Sequence, residues 1–256
     1  SILNNYNAGK INGTDKNIRQ YIGELYFLRA YSYFTLLQKY GDLPIIRQAF
    51  IDDKDILIAA SKRSPRNEVS RFIIQDLDSA VLMMTENFES RHTRISTDVA
   101  NLFKSRVALY EASWLTNFKG TAFVPCGEGW PGAKKDYNSN YQYPTGNIDN
   151  EITYFLNEAV SSSQIIAEKY KGSLVKNTGI IPQSETDPVN PYFAMFGNLD
   201  MSPYPEVLLW REYNYSLGLA NSVEVAVERG NSRDGITRSM VESFLMTDGK
   251  PIYAKH

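Results

Sequence analysis

A chain of 256 residues with 43% hydrophobic content can bury a sizeable core, as one large domain or two small ones. Its 27 basic and 29 acidic residues leave a formal charge of −2, so no whole-molecule field attracts phosphate backbones and nucleic acid is a poor partner. The one cysteine, Cys126, excludes an internal disulfide and a thiolate zinc site, and no apolar run approaches the ~18 residues of a membrane span.

The aromatic content is high, with 17 Tyr, 12 Phe and 3 Trp. Packing of large helices absorbs part of it, and the excess of amphipathic tyrosine points to a binding surface. Ser1-Ile2-Leu3-Asn4-Asn5 lacks the basic and apolar regions of a signal peptide, so any export signal or lipid anchor is expected upstream.

In chain order, the first strong element is a helix over Gln20–Tyr40. Leu25, Leu28 and Leu36 fall on one face and Phe27, Tyr31 and Phe34 on the next, a stripe wide enough for packing on more than one side. Gly41 and Pro44 end it. A second helix starts with Ser64 as cap, Pro65 in the first helical position and Glu68 in the first turn. Val69, Phe72, Ile73, Leu77, Ala80, Val81 and Met84 form its apolar face.

A third helix is expected over about Thr97–Leu115, with Val99, Phe103, Val107, Tyr110 and Trp114 as its stripe. A fourth spans about Glu151–Tyr170, and a shorter one Ile236–Met246. Glu206–Trp210 is the best short strand candidate. The second and third helices begin 33 residues apart (64 to 97), close to the tetratricopeptide period of about 34. Phe27-Leu28-Arg29-Ala30 followed by Tyr33 is echoed by Lys104-Ser105-Arg106-Val107 followed by Tyr110. The fold class is therefore mainly α, with tetratricopeptide-like antiparallel helix pairs decorated by long loops.

Two loop regions, residues 117–150 and 188–216, are too long and too aromatic to be simple connectors. Gly127-Glu128-Gly129-Trp130-Pro131-Gly132 matches a dinucleotide fingerprint in letters only. It has Pro131 inside it and neither a preceding strand nor a following helix, so it reads as a glycine-rich turn. With His92 and His256 as the only histidines, most histidine triads and zinc sites are out of reach. Asp52, Asp53 and Asp55 read as a solvated acidic turn, lacking the glycine and distal glutamate of a calcium loop. Arg29 and Arg106, set in apolar helices, are read as buried structural arginines rather than ligand grips. No residue is assigned a catalytic or metal-binding role, and no cofactor is expected.

Four blocks then align with one family. Glu24 through Phe34 with Tyr40-Gly41-Asp42-Leu43-Pro44 resembles the E-x-x-F-L-R-A-x-x-Y-F…Y-G-D-x-P signature of SusD/RagB proteins. Arg63–Val69 with Ile74–Ala80, then Ala100–Tyr110, and finally Phe244-Leu245-Met246-Thr247-Asp248-Gly249-Lys250-Pro251 resemble later blocks in the same order. The resemblance implies a non-catalytic, glycan-binding lipoprotein of polysaccharide utilization on the outer face of a Bacteroidetes outer membrane. It also implies a SusC-like TonB-dependent transporter as partner, and membrane attachment only through a lipid anchor outside this chain. Residues 1–256 are read as a single SusD-like α-helical domain of a longer protein, without the family's N-terminal anchor segment and C-terminal region. A peptide-binding member of the family and an intracellular tetratricopeptide-type adaptor are the alternatives.

The family has no transferable ligand motif, so the site expectation is physical. Sugar rings stack on aromatic faces while a few polar groups fix orientation. Trp130, Tyr137 and Tyr141 in the first loop region, and Trp210 and Tyr213 in the second, are the expected ligand-binding residues.

Overall fold

The computed structural model describes residues 2–85, 88, 92–223, 225, 235 and 237–251. The described residues are mainly helical, and no strand occurs among them. The fold is thus mainly α, and residues 206–210 run as irregular backbone.

The helices are α1 (Ile2–Asn7), α2 (Asp15–Tyr40), α3 (Lys54–Ala60), α4 (Arg66–Met83), α5 (Thr97–Asn117), α6 (Ile148–Tyr170), α7 (Pro191–Met195) and α8 (Arg238–Glu242). The chain divides into two compact units, Ser1–Arg211 and Glu212–His256. In the first, α2 packs on α4, α4 on α5 and α5 on α6. Contacts at two levels give their directions: Arg19 reaches the Leu82 carbonyl while the Arg66 amide reaches Asp42, Lys104 meets Asp78 while Arg66 meets Glu111, and Lys169 meets Asp98 while Lys104 meets Glu158. Each neighbouring pair is therefore antiparallel. The end of α2, the start of α4, the end of α5 and the start of α6 all lie at one end of the array.

The core follows the apolar period. Phe27, Ala30, Phe34 and Leu37 of α2 meet Val69, Ile73, Leu77 and Ala80 of α4, with Val107, Ala108, Leu115 and Phe155 behind them. Each large side chain so buried contributes about 1.5–3 kcal/mol. Only one face of α2 is used. Leu25, Leu28 and Leu36 are exposed and line a shallow apolar groove with Phe50 and Leu57, so the two-sided packing expected of α2 is corrected to one side.

Two further corrections concern α4 and the arginines. Leu43 and Ser64 exchange backbone N–H···O bonds of 3.1 and 2.9 Å, which holds Ser64 extended. Pro65 becomes the cap residue and has no N–H to give, and the first free amide, that of Arg66, donates to Asp42 Oδ1 at 2.9 Å. The cap thus arrives from the turn after α2, not from Ser64. Arg29 makes the expected fixed pair, a two-pronged bond to Asp76 at 2.6 and 2.7 Å, but Arg106 is exposed.

The second unit contains a turn of 3₁₀ helix at Tyr215–Leu217, α8, and a tight turn closed by a bridge between Leu245 and Pro251. Gly249, at φ 78°, takes the left-handed corner of that turn, a position open to glycine at little cost. α8 lies inside the expected helix Ile236–Met246 but is shorter, and Ile236 is outside the described residues.

Gly23 sets the α2–α4 approach, because a Cβ there would stand 2.3 Å from Met84 Cγ and 3.1 Å from the Ala80 carbonyl oxygen. Gly23→Val is expected to cost about 1–3 kcal/mol through overpacking, despite the better helix propensity of valine. Urea unfolding at neutral pH checks this; an unchanged midpoint contradicts the close approach.

Candidate functional site

Residues 118–147 fold over the end of the array where α2 and α5 finish and α4 and α6 begin. They hold together through successive turns, including 3₁₀ turns at Pro131–Lys134 and Asp136–Asn138. Three buried or half-buried carboxylates organise this end of the array, and two of them, Asp42 and Glu151, bond directly to the segment. Glu111 (0% exposed) receives Arg66 Nη2 at 2.8 Å and Nε at 3.0 Å, and the guanidinium lies 4.1 Å from the centre of the Trp114 ring. Glu151, also fully buried, accepts from Arg71 at 2.7 and 2.9 Å, from Asn67 at 2.9 Å and from the Thr145 hydroxyl at 2.7 Å. Asp42 accepts the Arg66 amide on one oxygen and the Trp130 indole N–H, at 2.8 Å, on the other.

These bonds set the acidities. Burial pushes Asp42 above the usual carboxylate range, against the donors that hold it down. Burial acts the same way on Glu151, but hydrogen bonds from Arg71, Asn67 and Thr145 outweigh it and hold its carboxyl below the ordinary value. The Tyr141 phenol is raised by burial and stays a donor, giving its proton to Asn67 Oδ1 at 2.7 Å.

Between this folded segment and the end of α2 opens a cleft of about 690 Å³. Tyr40, Phe123 and Tyr137 present 60%, 62% and 37% of their surface. Gln38, Lys39, Arg63 and Lys135 supply polar and charged groups around them, and Trp114 and Trp130 form the wall. A second hollow of about 400 Å³ adjoins it, lined by Lys62, Glu68, Asp136, Tyr137 and Tyr141.

Three of the five expected residues come together here. Trp130 lies 5.7 Å from Tyr141, ring centre to ring centre, and Tyr137 borders both hollows. Trp130 is 4% exposed, so it contributes to the wall and holds Asp42 rather than offering an open face. Trp210 is elsewhere: its amide donates to the His92 carbonyl, between α4 and α5 at the opposite end of the array. Tyr213 is exposed and belongs to the second unit. Tyr40, Phe123 and the cations Arg63 and Lys135 were not singled out from the sequence. Of these, Tyr40 carries a local signal as an aromatic at the helix end just before Gly41-Asp42, and Phe123 one as an aromatic of the 117–150 loop region.

The acidic turn at 52–55 has a structural use: Asp53 caps α3, accepting the amides of Asp55 and Ile56 at 3.0 Å. Gly127 sits against the backbone of Thr121, where a Cβ would meet the carbonyl oxygen at 1.9 Å, so the glycine-rich run is a close-packed turn. No cluster of metal-ligating side chains occurs among the described residues, and none of their helices is long and apolar enough to cross a membrane.

Residues 2–109 are similar to a SusD-like family described as starch-binding, associating with outer membrane. SusD-like protein P2 of Formosa agariphila is 38% identical over 74 residues, which are 29% of this chain and 14% of that protein. A SusD-like protein of Bacteroides fragilis is 22% identical with a TM-score of 0.37, over 57% of this chain and 33% of that one. A SusD-like carbohydrate binding protein of Bacteroides vulgatus is 17% identical with a TM-score of 0.42, over 69% and 29%. The chain thus spans a third or less of the length of each of these relatives.

Glu151 binds a proton less readily folded than unfolded. The stability this gives is complete above its unfolded pKa of about 4.3 and is lost as pH falls toward the lower folded value. Denaturant midpoints between pH 6 and pH 3 are expected to fall less steeply in Glu151→Gln than in the parent, the variant starting lower at neutral pH. Parallel slopes contradict the hydrogen-bonded carboxylate.

Proposed function

We propose that this chain, SusD-like over residues 2–109, is a non-catalytic glycan-binding subunit that captures oligosaccharide at the outer face of an outer membrane. In this reading it passes the glycan to a SusC-like TonB-dependent transporter and is held at the surface by a lipid anchor outside the residues described. The observation that carries the proposal is the cleft whose open faces are Tyr40, at the end of α2, and Phe123 and Tyr137, on a segment held by the hydrogen bonds of Trp130 to Asp42, Tyr141 to Asn67 and Thr145 to Glu151. Aromatic faces beside fixed polar groups suit a sugar ring, with its apolar C–H face and hydroxyl rim. Rigid anchoring keeps down the ordering cost of binding.

The family description, starch-binding and associating with outer membrane, supports the same reading. The chemistry of the cleft favours holding over cleaving. Its lining carboxylate, Asp42, has both oxygens occupied by N–H donors, and glycoside hydrolysis needs a pair of available carboxyl groups.

Native electrophoresis of the protein through gels containing a panel of polysaccharides, with a parallel assay for released reducing ends, tests the proposal. One glycan is expected to retard the protein without release of product. Tyr137→Ala and Tyr40→Ala are each expected to weaken that retardation roughly twofold to twelvefold, the effect of about 0.5–1.5 kcal/mol per lost stacking face. No retardation across the panel contradicts glycan capture and redirects the cleft to peptide cargo; release of reducing ends contradicts the non-catalytic role.

A further inference from the structure

Building on the glycan-capture reading, we infer that the cleft selects acidic oligosaccharides, those carrying carboxylate or sulfate groups. The chain as a whole is nearly neutral, with 27 basic and 29 acidic residues, so clustering of one sign in one place is a local property. Lys39, Arg63 and Lys135 line the cleft, all three exposed, and none forms an ion pair among the described residues. The neighbouring Arg66 is matched by Glu111 and stays out of the count.

The opposing charge in the lining is Asp42. Its two oxygens already accept the Arg66 amide and the Trp130 indole, and it is half-buried behind the wall. Arg63 lies near enough to Asp42 to feel its charge, but no carboxylate forms an ion pair with Lys39, Arg63 or Lys135 among the described residues. The adjoining hollow, which Arg63 also lines, is balanced, since Glu68 and Asp136 there offset Arg63 and Lys62, whose ammonium lies 5.7 Å from the Tyr137 ring centre. The excess of cations over carboxylates is thus greatest on the side of the cleft that holds Tyr40 and Phe123. Cations arranged around stacking platforms fix an acidic sugar by its ring and its charge together. Arg63 offers the planar fork that suits carboxylate and sulfate, and the lysines act as point charges.

Two matched pairs of probes separate charge from sugar: polygalacturonate with its methyl-esterified form, and dextran sulfate with dextran. Binding to each is measured by calorimetry at 50 mM and 300 mM salt. The expected result is at least tenfold tighter binding of a charged member than of its neutral partner at 50 mM, with most of that preference gone at 300 mM. Arg63→Gln/Lys135→Gln is expected to lose roughly tenfold in affinity for the charged member, and Tyr137→Ala is expected to weaken it as well.

Equal affinity within both pairs, with Tyr137→Ala still reducing binding, overturns the acidic preference and leaves glycan capture standing. Charged-member binding that ignores Tyr137 and the two cations is diffuse attraction elsewhere and also overturns the inference. Failure to bind any of the four overturns it too. A neutral glycan from the gel panel that binds at the cleft would still uphold capture.

Discussion

The structure depends on satisfying buried carboxylates at one end of a helix array. Glu111 and Glu151 are wholly withdrawn from water, and a buried ion left without its partner costs about 3–5 kcal/mol. Arg66 and Arg71, five residues apart on α4, meet Glu111 of α5 and Glu151 of α6 respectively, so the three helices are held in one register at that end. The demand spreads outward from there. Thr145 and Asn67 complete Glu151, Tyr141 completes Asn67, and Trp130 completes Asp42.

This chain of obligations turns a glycine-rich, aromatic segment into a wall. Tyr143 adds to it by donating to the Pro125 carbonyl at 2.6 Å. The aromatic side chains of the region then divide by use. Trp130, Tyr141 and Tyr143 spend their polar atoms on the fold, while Tyr40, Phe123 and Tyr137 keep faces toward solvent. A site assembled this way presents stacking surfaces that do not have to be organised when a ligand arrives.

The helices were legible because apolar periodicity reports burial directly: all seven residues picked for the α4 face are buried or half-buried. The α2 stripe misled because its two apolar faces look alike in sequence, and only the partner's position tells that Phe27 and Phe34 are covered while Leu25 and Leu28 are not. The cap of α4 was missed for a related reason, since Asp42 reaches it from 24 residues away in the chain. Choosing binding residues by aromatic type brought Trp130, Tyr137 and Tyr141 into one place, but type alone does not distinguish a tryptophan that holds Asp42 from one that faces a ligand. The grouping of Arg63 with Lys135 had no sequence signal at all, being a product of how residues 118–147 fold back.

The central claim is that a glycan occupies the cleft between the end of α2 and the segment 118–147. The most direct measurement is ¹⁹F NMR of protein carrying fluorotryptophan, titrated with the polysaccharide that retards it in gels. Trp114 and Trp130 line the cleft and Trp210 lies at the other end of the array, so one spectrum contains both reporters and a control. The account predicts saturable shifts of the Trp114 and Trp130 resonances with Trp210 unmoved. Shifts confined to Trp210, or binding that moves none of the three, would place the ligand elsewhere and contradict it.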